Sequence, residues 1–119
     1  MKKSPLVEKS YLFAIKIVKS VYLVQNSKKE YILTKQLIRS GTAIAALISE
    51  GQYAQSPADF INKFSVSLKE ANETKFWINL LKDTEFIDIH VFESLIFDLE
   101  EIISMLVSSI KTLKSKMSQ

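Results

Sequence analysis

Four long segments of this chain carry apolar residues three or four positions apart, the spacing that places them on one face of an α-helix. No segment alternates apolar and polar residues over a useful length. Because the 119 residues include only two Gly and two Pro, few turns are available, and the elements must be few and long. The pattern predicts an all-α fold. Its most regular stripe is the last, formed by Phe92, Leu95, Leu99, Ile102, Leu106, Ile110 and Leu113.

Local signals set the predicted helix boundaries. Ser56 and Pro57 combine a capping serine with a proline suited to the first helical position. Ser27 and Glu30 have the S-x-x-E spacing of a capping box, which predicts a second helix that begins next to Ser27. Gly51 is a plausible stop for that helix. The sequence therefore predicts a single domain over residues 1–119, with helices at about 5–24, 28–51, 57–83 and 89–116.

The predicted architecture is an antiparallel up-down-up-down four-helix bundle, because short turns make consecutive helices antiparallel neighbours. The first helix has more apolar residues than one core can cover. Thirteen of the nineteen residues from 6 to 24 are apolar, whereas a bundle helix needs roughly three in seven. We expect a partner subunit to cover the remainder, and hence a ring oligomer. On the second helix Gly41, Ala45 and Ser49 recur at spacing four, and tight packing inside the bundle is the simpler explanation.

The scarcity of catalytic residue types argues against an enzyme. The chain has no cysteine and one histidine, so it lacks a thiol nucleophile, a disulfide framework and a zinc knuckle. Metal sites in helical bundles use E-x-x-H on two helices, whereas His90 precedes Glu93 in the reverse order. We predict no catalytic activity, no metal and no cofactor.

Neither a membrane span nor a signal peptide is indicated. Lys16 and Lys19 interrupt the first apolar stretch, and no small-residue cleavage site follows it. No apolar run reaches the roughly 18 to 20 residues that a span requires. We expect a cytoplasmic protein without a membrane partner.

Positive charge is concentrated in the first half of the chain. Residues 1–52 carry a balance of +6 and residues 53–119 one of −3, which gives the net +3. The lysines of the first two predicted helices form basic stripes along those helices. Stripes of this kind contact the phosphates of RNA or DNA, although an ordinary solvated helix face also accounts for them. The candidate nucleic-acid-binding residues lie on the first two predicted helices: Lys9, Lys16, Lys19, Lys28, Lys35 and Arg39.

A second candidate cluster is structural. Glu50, Glu70 and Glu73 lie on two helices that we expect to face each other, and a half-buried carboxylate must be paired and hydrogen-bonded. Arg39 is available on the second helix. We therefore predict a polar network of Arg39, Glu50, Glu70 and Glu73 inside the bundle, which would remove Arg39 from the nucleic-acid-binding set.

The central residues also resemble a known family. The pattern is L-x-x-Q-x-x-R-S from residue 33 to 40, then Glu50-Gly51, and K-E-x-x-E-T from residue 69 to 74. It resembles the four-helix-bundle proteins encoded by intervening sequences of bacterial 23S ribosomal RNA genes, over nearly the whole chain. Where that family usually has a serine and an asparagine on the second helix, this chain has Ala43 and Leu47, so a polar contact expected there is missing.

The resemblance implies a fold and partners. The fold is an antiparallel four-helix bundle that assembles into a homopentameric ring, and the number five comes from the resemblance alone. The family is also similar to the accessory proteins of diversity-generating retroelements, which are basic pentamers that bind nucleic acid and a reverse transcriptase. RNA or DNA, and a reverse transcriptase in that branch, are therefore implied partners.

Two functions remain open. The first is a non-enzymatic oligomer that binds nucleic-acid phosphates through its basic stripes without reading sequence. The second is a structural or adaptor oligomer, in which the basic half of one subunit meets the acidic half of the next and the assembly docks a protein partner. The two differ in whether the lysines of the first two helices stay exposed in the assembly.

Overall fold

The computed structural model describes residues 4–118, and that range contains four α-helices and no β-strand. The helices are α1 (Pro5–Lys28), α2 (Leu33–Gly51), α3 (Pro57–Asp83) and α4 (Ile89–Met117). They form an elongated body of 52 × 24 × 23 Å. The prediction of an all-α chain with four helices is confirmed. The predicted domain also included residues 1–3 and 119, which lie outside the described residues.

The starts of α3 and α4 follow from local capping. The Ser56 hydroxyl accepts the backbone N–H of Asp59 at 3.1 Å, and Pro57 occupies the first turn. At the start of α4 the Asp88 carboxylate accepts the backbone N–H of Val91 at 2.9 Å. Each side chain satisfies a backbone donor that has no partner within the helix. The predicted bounds of α3 match the structure, and α4 ends one residue later than predicted.

The predicted junction between the first two helices is wrong. The first helix continues to Lys28 rather than ending near residue 24, and the second begins at Leu33 rather than residue 28. The Ser27 hydroxyl donates to the backbone carbonyl of Leu23 at 2.7 Å, as serines inside helices do, and so does not cap α2. Lys29 follows the last residue of α1 and caps it: its backbone is left-handed (φ 57°), and its N–H donates to the carbonyl of Gln25.

Glu30 caps α2 from three residues before its start. Its carboxylate accepts the backbone N–H groups of Ile32, Leu33 and Thr34 at 2.9, 2.9 and 2.8 Å. Partial burial alone would raise the pKa of Glu30, but these bonds outweigh it and hold the pKa below its usual value. The predicted capping box of Ser27 and Glu30 is therefore wrong, and only the expectation that the Glu30 carboxylate accepts a backbone N–H is confirmed.

Each helix packs against its neighbours in the chain, and α1 also packs against α4. Within residues 4–118 neither α1 and α3 nor α2 and α4 are in close contact. The contacts between α1 and α4 run in opposite order along the two helices. Lys9 pairs with Glu101, and Lys16, further along α1, pairs with the earlier Asp98.

The core is apolar, with a few satisfied hydroxyls. Ser67 donates to the backbone carbonyl of Ile44 at 3.0 Å, and the hydroxyl oxygens of Ser40 and Thr74 are 2.9 Å apart. No buried side-chain oxygen or nitrogen in the described range lacks a partner, as expected of a stable interior. The large side chains less than 2% exposed include Phe13, Ile17, Leu37, Ile44, Ile48, Ile78, Leu81, Leu95, Leu99, Ile102 and Leu106.

The small residues of α2 have different environments. Gly41 is buried, and a Cβ built on it would lie 3.0 Å from two side-chain carbons of Ile17, so α1 and α2 approach closely there. Ala45 is half-buried, and Ser49 is exposed. These last two line a groove beside Tyr11 of α1. Tight packing inside the bundle therefore accounts for Gly41 only.

Candidate functional site

The side of α1 that faces away from the core is apolar. We call it the outer face of α1, and it consists of Tyr11, Leu12, Ile15, Lys19, Tyr22 and Leu23. Tyr11 is 64% exposed and Leu23 63%, and the other three apolar side chains are each at least 36% exposed. The expectation that one core cannot hold all the apolar residues of the first helix is confirmed. Exposed apolar surfaces of this kind are typical of sites that contact another molecule.

Two of the candidate nucleic-acid-binding lysines are held by α4 of the same chain. Lys9 Nζ lies 3.2 Å from Glu101 Oε1, and Lys16 Nζ lies 2.6 Å from Asp98 Oδ2. Lys16 also donates to the Ser94 hydroxyl. All four charged side chains are partly exposed, so each ion pair contributes at most about 1 kcal/mol. Lys9 and Lys16 are thus partly neutralised where they lie.

Lys19, Lys28 and Lys35 are exposed and form no ion pair within residues 4–118. The structure separates them. Lys19 lies on the outer face of α1, whereas Lys28 and Lys35 lie at the end of the bundle where α1 connects to α2.

The same end of the bundle also carries Lys29, Tyr31 and Ile32, which were not among the candidates from the sequence. We call it the basic end, and define it as Lys28, Lys29, Tyr31, Ile32 and Lys35. Tyr31 is 53% exposed and Ile32 78% exposed, and both lie between Lys29 and Lys35 in the sequence. The signal in the sequence was the run K-K-E-Y-I, which was missed because the second helix was placed over it.

Arg39 joins two of the three predicted carboxylates. Arg39 Nη1 lies 3.2 Å from Glu70 Oε2, and Nη2 pairs with Glu73. The Trp77 indole also donates to Glu73 at 3.0 Å. The Trp77 bond, helped by Arg39, holds the pKa of Glu73 below its usual value, while the bonds to Glu70 and Glu73 raise the pKa of Arg39.

The network differs from the prediction in two respects. The Arg39 side chain is 48% exposed, so the network spans the surface between α2 and α3 rather than the bundle interior. Glu50 is not part of it and instead pairs with Lys63 at 3.4 Å. Glu50 lies in the last turn of α2, about three turns beyond Arg39, which places it out of reach of the Arg39 side chain.

A second exposed apolar feature lies on α4 and was also missed. Phe97 is 68% exposed and has Glu93, Glu100 and Glu101 around it. We call Glu93, Phe97, Glu100 and Glu101 the acidic face of α4. Glu100 pairs with Lys75 of α3, and Glu101 with α1, whereas Glu93 is exposed and forms no ion pair in the described range. Phe97 was missed because it lies two residues from the stripe positions on either side of it.

His90 is exposed at the start of α4, beside a shallow groove that Lys16 and Ser94 also line. Among residues 4–118 no group of three or more histidine, cysteine or acidic side chains is arranged to hold a metal ion. No helix in the same range is long and apolar enough to cross a membrane.

Comparison with known proteins identifies the family. The profile of the 23S rRNA-intervening sequence protein family matches residues 2–108. The chain is similar to a protein with unknown function from the S23 ribosomal protein family of Bacteroides thetaiotaomicron, known from its crystal structure. The two are 47% identical over 89% of this chain and 98% of that one, with a TM-score of 0.88. No curated protein matches the chain. The match to the family profile covers most of the sequence, and the chain therefore belongs to the 23S rRNA-intervening sequence protein family.

Proposed function

We propose that this protein is a non-enzymatic bundle that assembles with copies of itself into a ring. The observation that carries the proposal is the outer face of α1, where five large apolar side chains are exposed along one side of a helix. Covering the exposed part of each would stabilise an assembly by on the order of 1 kcal/mol. No other helix in the described range has so many exposed large apolar residues.

Within each subunit we propose the up-down-up-down arrangement. The reversed order of contacts between α1 and α4 and the absence of close diagonal contacts within residues 4–118 support it. A ring of five subunits is supported by the resemblance to the 23S rRNA intervening-sequence family and not by any feature of the single chain.

The oligomer can be tested by removing the outer face of α1. Light scattering should give a multiple of 13.6 kDa for the wild-type protein at micromolar concentration. The double variant Leu12→Gln and Leu23→Gln should dissociate while its helical circular dichroism stays unchanged. The matched control, Tyr53→Gln with Met117→Gln, removes two apolar side chains elsewhere that are likewise more than half exposed, and should still assemble. A wild-type monomer would overturn the proposal.

Binding of nucleic-acid phosphates is a second candidate function, now centred on the basic end. Lys28, Lys29 and Lys35 are exposed in the same stretch of chain as the exposed Tyr31, and surfaces that hold single-stranded nucleic acid combine basic residues with exposed aromatic rings. Lys9, Lys16 and Arg39 already have carboxylate partners within the subunit. They are therefore weaker candidates for phosphate contacts than the sequence pattern suggested. An adaptor that docks a protein partner remains the alternative.

Salt titration distinguishes these two functions. Fluorescence anisotropy with a labelled RNA, from 50 to 300 mM salt, should show an affinity that falls by about 0.7 log units per tenfold salt for each phosphate contact. Changing the three lysines of the basic end to Gln should flatten that slope. The matched control changes Lys111, Lys114 and Lys116 at the opposite end of the bundle, removes the same charge, and should keep the slope. Absence of binding at 50 mM salt would favour the adaptor.

A further inference from the structure

We propose that the outer face of α1 docks on the acidic face of α4 of a second copy of this chain. The inference rests on the proposed assembly and specifies its joint. It makes each contact head-to-tail, with two different surfaces meeting, so that subunits form a closed ring when the rotation allows.

Each of the two surfaces exposes large apolar side chains that nothing in residues 4–118 covers. Phe97 lies in an open groove of about 520 Å³ on α4, lined also by Phe92 and Ile96. Ile89, one turn before Glu93 on the same side of α4, is 50% exposed. A joint that covered only the outer face of α1 would leave this second apolar surface in water.

The outer face of α1 and the acidic face of α4 carry opposite charges. Lys19 is the central charge of the outer face of α1, and Glu93 is the acid of α4 that has no ion-pair partner in the described chain. A two-fold contact centred on Lys19 would bring two lysines together, and one centred on Phe97 would bring acids together. Opposite charges across a joint set its register and exclude such pairings.

The apolar and charged residues of the two surfaces have the same spacing along their helices. Ile15, Lys19 and Leu23 follow one another at four-residue intervals along α1. Ile89, Glu93 and Phe97 do the same along α4, so each helix presents an apolar, a charged and an apolar residue one turn apart. With the helices antiparallel, Lys19 opposite Glu93 places Ile15 opposite Phe97 and Leu23 opposite Ile89.

The arrangement of the bundle then makes the ring small. In a four-helix bundle adjacent helices such as α1 and α4 present outer faces about 90° apart, which corresponds to four subunits per ring, and an angle of about 108° corresponds to five. When the bundle axes lie along the ring axis, every copy points the same way. The α1 of one copy then meets the α4 of the next antiparallel, as in the register above.

The competing contact is α1 against α1. Glu8 is exposed one turn before Leu12, and an antiparallel α1 pair could place it opposite Lys19 of the other copy. That register would lay Tyr22 over the first helical turn of its partner and leave the acidic face of α4 uncovered. The α1–α1 contact and the α1–α4 contact bring different residues together, so engineered cysteines distinguish them.

Engineered cysteines test the joint directly, because the natural chain has none. The double variant Ile15→Cys with Phe97→Cys should form a ladder of disulfide-linked oligomers under mild oxidation. Mixing the two single variants should give crosslinked dimers only, while either single variant alone should remain uncrosslinked. The control pair Ile15→Cys with Phe76→Cys places the second cysteine at a position of α3 that is also more than half exposed, and should not crosslink. Crosslinking of Ile15→Cys with itself would overturn the proposal in favour of the α1 pair.

Charge reversal gives an independent readout. Lys19→Glu and Glu93→Lys should each weaken the joint about three- to tenfold in sedimentation velocity, and the double variant should recover the wild-type value. Lys69→Glu, an exposed reversal on α3, is the control and should have no effect. If the wild-type protein assembles and Glu93→Lys assembles equally well, the contact between α1 and α4 is overturned but the proposed assembly is not. A wild-type monomer overturns the proposed assembly with it.

Discussion

The cap formed by Glu30 should make a large and pH-dependent contribution to stability. Replacing Glu30 with Ala removes the acceptor of three backbone N–H groups at the start of α2. Loss of one capping side chain costs about 0.5 to 2 kcal/mol, and bonds to an ionised carboxylate are at the strong end. Water replaces part of the loss, because Ile32 is exposed. We therefore expect Glu30→Ala to lower the free energy of unfolding by about 2 kcal/mol at pH 7.

The pH dependence follows from the lowered pKa of Glu30. Because the folded pKa lies below the unfolded one, the stabilisation is fully present above the unfolded pKa of about 4.3 and is lost as the pH falls through the folded pKa. The difference in the free energy of unfolding between wild type and Glu30→Ala should thus stay constant from pH 7 to about 5.5 and should shrink in more acidic solution. Glu30→Gln keeps a neutral acceptor, so it should lose less stability than Glu30→Ala. Its difference from wild type in the free energy of unfolding should shrink over the same acidic range.

Urea unfolding followed by circular dichroism measures these differences. All samples are compared at one protein concentration, because assembly adds to the apparent stability. The reasoning is refuted if Glu30→Ala is as stable as wild type at pH 7, or if the difference widens on acidification.

Two further predictions concern the packing of α2. Gly41→Val should destabilise the bundle by about 1 to 3 kcal/mol, because its side chain would press into Ile17, and thermal unfolding would record this as a drop of several degrees. Thr74→Val should cost about 1 to 2 kcal/mol by leaving the buried Ser40 hydroxyl without its partner across the helices. In urea unfolding, adding Ser40→Ala to Thr74→Val should cost less than the sum of the two single changes, and additive costs would contradict the contact.

Much of the fold could be predicted because helices leave local signals. The bounds of α3 were correct since Ser56 and Pro57 act on their own helix, within four residues of sequence. The same reasoning failed between α1 and α2. A serine such as Ser27 can accept a bond from the next helix or donate to the preceding turn, and the S-x-x-E spacing does not distinguish the two.

The candidate site was less predictable because its contacts join distant parts of the chain. Lys16 and Asp98 are 82 residues apart, so a stripe of lysines read from the sequence contained no sign that α4 neutralises part of it. The pairing of Glu50 with Lys63 depends on how α2 and α3 align, which the sequence spacing did not fix. The apolar excess on α1 was predictable because it needed only a count along one helix.

The proposed joint also changes where nucleic acid would bind, and this gives a final prediction. Docking α1 on α4 covers Lys19, but it leaves the basic end of every subunit on the same rim of the ring, because all copies point the same way. Each end offers few phosphate contacts, so linking several through a ring should raise the affinity for one RNA strand by about 10²-fold or more. Leu12→Gln with Leu23→Gln adds no charge and leaves Lys28, Lys29 and Lys35 in place, yet anisotropy should show it binding RNA that much more weakly than wild type. Equal affinity of the dissociated variant would mean that each basic end acts alone, and that assembly serves some purpose other than holding nucleic acid.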